Sequence, residues 1–153
     1  MRYLQLALLA GACALASPVA MAQTGPSADT VGSKVSKGGN TTGGTAGSAA
    51  SGGTSASTIG LGANSIGRAG TSSTVAGAGS AAAVNGRATS NTKIRENPQM
   101  LRSQSRAMAS DGGTWSRSMT NTSVRHDGDL RSWTKSMAHE PGSKPAMSTT
   151  RVR

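Results

Sequence analysis

The amino-acid sequence predicts a predominantly intrinsically disordered chain, with an N-terminal signal-peptide helix and one or two short, marginal amphipathic helices in its C-terminal half. Three observations predict this. After residue 22, Leu, Ile and Val number 12 of 131 residues and Phe is absent, well under the roughly 20% below which a charged chain is expected to stay disordered. Gly, Pro and Ser make up 46 of the same 131 residues, without a collagen-like triplet period. The segment is also basic: removing Arg2 from the formal +10 leaves +9, and such a charge opposes collapse. Ordering one residue costs about 1–2 kcal/mol of backbone entropy, which burial must offset at roughly 25 cal/mol per Å² of apolar surface. On these grounds the aliphatic content is too small for a core.

The first 22 residues read as a signal peptide. Arg2 supplies a positive start, Leu4 to Leu15 an apolar run, and Ala20-Met21-Ala22 before Gln23 an A-x-A cleavage site between Ala22 and Gln23. The run is broken by Ser17-Pro18, short of the roughly 20 apolar residues that span a bilayer. Processing is therefore expected to leave no transmembrane span, and the localisation expected is periplasmic or secreted. Leu9-Ala10-Gly11-Ala12-Cys13 approaches a bacterial lipobox, but its large aliphatic residue stands one position early. Cleavage after Ala22 removes Cys13, so the remaining chain has neither disulfide nor thiolate chemistry.

Residues 23–90 form a low-complexity tract, expected to be a disordered spacer, in which 51 of 68 residues are Gly, Ala, Ser or Thr. Gly38-Gly39, Gly43-Gly44 and Gly52-Gly53 punctuate it. Ala76-Gly77-Ala78-Gly79-Ser80 carries one copy of a silk-like unit, whose small residues let sheets stack closely. The overlapping Gly77 to Ala82 match to a dinucleotide-binding glycine pattern lacks the acid about 20 residues on, where Gln99 stands, and reflects composition.

Residues 91–153 differ: four glycines in 63 residues, both tryptophans, five methionines, two histidines and most of the charge. Asn97-Pro98 reads as an N-cap followed by proline at the first helical position, with Gly112 as the stop. A second helix is expected from Asp129 to His139, ended by Pro141-Gly142, with Leu130, Trp133 and Met137 on one face. A degenerate repeat crosses this half. Trp115-Ser116-Arg117-Ser118-Met119-Thr120 recurs as Trp133-Thr134-Lys135-Ser136-Met137-Ala138, with a partial copy in Ser105-Arg106-Ala107-Met108-Ala109. Read as helix, each unit brings Trp and Met into contact at i,i+4, with a cation beside them.

These residues bound the chemistry. His126-Asp127-Gly128-Asp129 reads as an Asp-Gly turn capping the second helix. It is no calcium loop, because the twelfth position from Asp127 is Ala138 where a glutamate is required. No rigid scaffold is expected to hold His126, Asp127 and a serine together, so the expectation is a non-enzymatic protein without a cofactor. The cations Arg102, Arg106, Arg117, Arg131 and Lys135 are candidate polyanion contacts, with Trp115 and Trp133 as interfacial anchors. The partner expected is an anionic envelope polymer or lipid surface, or an unknown protein on which the chain orders, and no specific nucleic acid. The alternative is a periplasmic copper- or silver-binding protein using Met108, Met119, Met137, His126 and His139, since thioether and imidazole ligands suit soft metals.

Overall fold

Along residues 114–124 small residues alternate with larger ones: Thr114, Ser116, Ser118, Thr120 and Thr122 against Trp115, Arg117, Met119 and Asn121. A period of two is the signature of a strand with unlike faces. The computed structural model describes residues 25–37, 40–67 and 70–153, and among these it is an all-β fold of two antiparallel sheets. The leader, with Cys13 and the Ala22–Gln23 junction, lies outside the described residues.

The first sheet holds β1 (Ser27–Lys37), β2 (Asn40–Ser51), β3 (Thr54–Gly67) and β4 (Gly70–Ala83) in sequence order. The second holds β5 (Arg87–Asn97), β6 (Met100–Asp111), β7 (Thr114–Arg125), β8 (Leu130–His139) and β9 (Ala146–Val152), also in order. The chain changes sheet at residues 84–86 and returns beneath itself, so that β6, β7, β8 and β9 lie against β4, β3, β2 and β1. β5 extends past the first sheet, and every one of its residues is exposed. Its Ser90 hydroxyl still donates to the carbonyl of Gly79 on β4, at the spine of the sandwich.

Tight turns set the registers. Gly52-Gly53 (φ +39° and +79°) joins β2 to β3, and Gly112-Gly113 (φ +54° and +89°) joins β6 to β7. Both are two-residue loops with positive φ at each position, the combination that matches strand twist and favours glycine. Asn97 does act as a cap, its Oδ1 accepting from the amides of Gln99 (3.1 Å) and Met100 (2.7 Å), but the turn leads into β6. The Asp-Gly turn is likewise present. Asp127 Oδ1 accepts the Asp129 amide at 3.0 Å, and the turn joins β7 to β8.

The expectations of disorder and of two helices are therefore overturned: residues 97–112 and 129–139 are hairpin and strand, and the described part of the 23–90 tract is sheet. Apolar content misled because this interior is made of hydroxyls and missing side chains. Its aliphatic part is small: Val124 and Leu130 are fully buried, and Ala49, Ala56, Ala107, Ala109 and Ala138 are buried with them. Around them runs a continuous buried chain of hydroxyl contacts, Ser136–Ser118–Thr58–Thr120–Thr134–Thr45–Ser132–Thr122, with oxygen separations of 2.6–3.2 Å. A buried hydroxyl without a partner would oppose folding, whereas these satisfy one another across the sheets.

Glycine lets the sheets approach closely enough for this. A Cβ at Gly47 would strike the side chains of Ser136 and Thr134, and one at Gly60 those of Thr122 and Thr120. At Gly62 it would stand 2.5 Å from Val124 Cγ2. The silk-like segment lies in β4, where Gly77 faces Ser103 and Ser105.

Circular dichroism of the protein should accordingly show a β-type spectrum and a cooperative denaturant transition. Thr134→Val interrupts the hydroxyl chain and should destabilise by about 1–3 kcal/mol. Gly60→Ala should cost a similar ~1–3 kcal/mol through overpacking. Ala78→Ser, on the outer side of β4, should change stability by less than about 0.5 kcal/mol. Equal effects of all three in equilibrium unfolding would exclude this interior.

Candidate functional site

The two outer faces differ in chemistry. On the first sheet Val31, Ala46, Ile59 and Ala78 form one row across the strands, and Ser33, Gly44, Leu61 and Ala76 the next. Asp29 adds a charge to this face near the start of β1.

The outer face of the second sheet is cationic. In β6, β7 and β8 the interior takes every second residue, and all lysines and arginines of β5 to β9 stand at positions of the other parity. They are Arg87, Lys93 and Arg95 on β5, Arg102 and Arg106 on β6, Arg117 and Arg125 on β7, Arg131 and Lys135 on β8, and Arg151 on β9. Each is exposed. No Asp or Glu occupies an outward position of these strands. Glu96 and Asp111 have the opposite parity, and Asp111 caps the Asn85 amide at 2.9 Å. Asp129 flanks the face and pairs with Arg131 at 2.9 Å, a surface contact of small energetic weight.

The five cations and two tryptophans expected from the sequence thus share one surface. The strand geometry changes their relation, however. In a helix the repeat would set Arg117 apart from the Trp115–Met119 pair. In β7 it stands between them, on the same side. The repeats are neighbouring strands, and antiparallel register places cation against thioether. Met108, Arg117, Met137 and Met147 form one row across β6 to β9, and Arg106, Met119 and Lys135 lie in the next. This interleaving keeps most like charges from facing one another directly, an arrangement that would be unfavourable. Arg95 and Arg102 are an opposed pair, and there Arg102 Nε donates to Asn121 Oδ1 at 3.1 Å, drawn diagonally towards β7.

Neighbouring strands are about 4.8 Å apart and alternate residues about 7 Å apart, so the cations form a flat lattice rather than a cleft. Trp115 and Trp133 are half-buried and stand towards opposite ends of it. Trp115 lies against His139, with ring centroids 5.7 Å apart at 37°. Reasoning from the sequence left out Arg87, Lys93, Arg95, Arg125 and Arg151, which the alternation of their strands would have placed on the same face.

The alternative metal set is not brought together. His126 is in the β7–β8 turn, where its Nδ1 is 3.4 Å from Ser73 Oγ, whereas His139 ends β8 at the other end of the sheet. Arg117 separates Met108 from Met137, and Lys135 and Arg106 flank Met119. No group of three or more His, Cys, Asp or Glu capable of holding a metal occurs among the described residues.

Compared with known proteins, the chain matches no family model, no curated protein and no solved structure.

The placement of methionines on the exposed face has a direct chemical test. Met108 is 46% and Met147 60% exposed, whereas Met119 and Met137 are half-buried between neighbours. Dilute peroxide should therefore oxidise Met108 and Met147 first, since sulfoxide formation follows exposure. Peptide mass mapping that found all methionines oxidised at one rate would contradict this face.

Proposed function

We propose that the protein is an exported, non-enzymatic module that binds an anionic component of the cell envelope through the outer face of its second sheet. The observation that supports this reading is the segregation of charge: outward lysines and arginines on five adjacent strands, with no acid at an outward strand position. A flat array of cations suits an extended partner, a lipid head-group surface or a charged glycan, more than a small molecule enclosed in a pocket. Arg106, Arg117 and Lys135 occupy its centre and have no carboxylate within ion-pair distance among the described residues. The two tryptophans give it amphipathic rings of the kind that sit at head-group level. The leader, read as a signal peptide, brings the chain to a compartment where such partners are abundant.

The reading is tested by binding to vesicles containing anionic lipid and to lipopolysaccharide, at increasing salt. Affinity should fall steeply as ionic strength shortens the screening length. Changing Arg106, Arg117 and Lys135 together to glutamine should weaken binding roughly a hundredfold at low salt, at about 1 kcal/mol per cation, and should flatten the salt dependence. Trp115→Ala with Trp133→Ala should weaken binding and leave its salt slope largely unchanged. Binding indifferent to salt and to the glutamine variant would refute the proposal.

A further inference from the structure

At the corner of the cationic face where β8 meets β9, the register brings three soft donors to one face. Met137 is directly opposite Met147. His139 lies two residues beyond Met137 on the same face, directly opposite Trp115. Side chains opposed in this way have Cβ atoms about 4.5–5.5 Å apart, and the flexible methionine chain allows two sulfurs to converge without backbone movement. His139 Nδ1 is buried and has no hydrogen-bond partner, whereas the other buried polar groups among the described residues are mostly paired; in the tautomer protonated at Nε2 it offers a free lone pair. We propose that Met137, Met147 and His139 hold one monovalent soft ion, Cu(I) or Ag(I), beside the ring of Trp115.

The donor chemistry selects the ion. Thioether and imidazole favour soft metals, whereas magnesium, calcium and manganese require oxygen ligands, and no carboxylate shares these outward strand positions. Arg117 faces Met137 across the strands, so the surroundings penalise a divalent ion more than a monovalent one. The neighbouring indole offers a cation–π contact. This site goes beyond polyanion binding and stands or falls independently of it.

Titration of the full chain carrying Cys13→Ser, which removes the one competing thiol, with silver nitrate in chloride-free buffer tests the inference. One equivalent should shift the methyl resonances of Met137 and Met147 and the ring resonances of His139, leaving Met100, Met108 and Met119 in place. In a Trp133→Phe background the same equivalent should quench Trp115 fluorescence. Met137→Leu with Met147→Leu should weaken Ag(I) binding at least roughly tenfold with an unchanged far-UV spectrum. His139→Gln supplies the same test without altering either methionine. Equal shifts at Met100, Met108, Met119, Met137 and Met147, no shift at one equivalent, Zn(II) binding as tight as Ag(I), or unchanged affinity in both variants would each overturn it.

Discussion

Hydroxyl-to-hydroxyl contact between closely apposed sheets is the interaction on which the rest of this molecule depends. Thr58 and Thr45 of the first sheet reach Ser118, Thr120, Ser132 and Thr134 of the second. They can do so because Gly47 and Gly60 present no side chain at the same level. A larger residue at either glycine would separate the sheets and leave a series of buried oxygens unpaired. Close packing contributes many small dispersion contacts, and the paired hydroxyls remove the penalty of burying polar groups. The interior therefore works with few aliphatic side chains, provided that the register of both sheets is kept.

That interior also decides the surface. Reserving alternate positions for Ser, Thr, Gly and Ala leaves the other positions free of packing constraints. In the first sheet these are mostly small and uncharged, and in the second they are Arg, Lys, Met and Trp. One composition builds the seam, and two different compositions face away from it. The change of composition near residue 90 lies a few residues into β5, close to the change of sheet at 84–86. A cationic lattice held on five hydrogen-bonded strands has its spacing fixed before any partner arrives, which a disordered basic tail lacks. Interleaved methionines keep that lattice from opposing its own charges and place soft donors within it.

Part of this was legible in the sequence. Asp127-Gly128 was readable as a turn, and Asn97-Pro98 and Gly112 as caps, though of a helix; each lies at a hairpin connection, as does Gly52-Gly53, which read only as punctuation of a flexible tract. Alternation was legible too, in the Trp-Ser-Arg-Ser-Met-Thr unit and its second copy. It was hidden because the inward residues are hydroxylated, and hydropathy counts serine and threonine as surface. The i,i+4 spacing of Trp and Met fits a helix face and a strand face equally, so the pair alone could not distinguish them. The residues between them could, since Ser116 and Ser118 are fully buried while Arg117 is exposed.

The sequence by itself determined the basic charge, the choice of Arg102, Arg106, Arg117, Arg131, Lys135, Trp115 and Trp133 as a surface set, and the Asp127-Gly128 turn. All of these follow from residue identity and local backbone preference. Only the tertiary structure decided that the chain has an interior. Whether a buried threonine hydroxyl is a penalty or a tie depends on a partner that, for Thr45 and Thr134, lies 89 residues away. Tertiary structure likewise decided that His126 and His139 stand at opposite ends while Met137 meets Met147, because register across strands, and not distance along the chain, sets which side chains share a place.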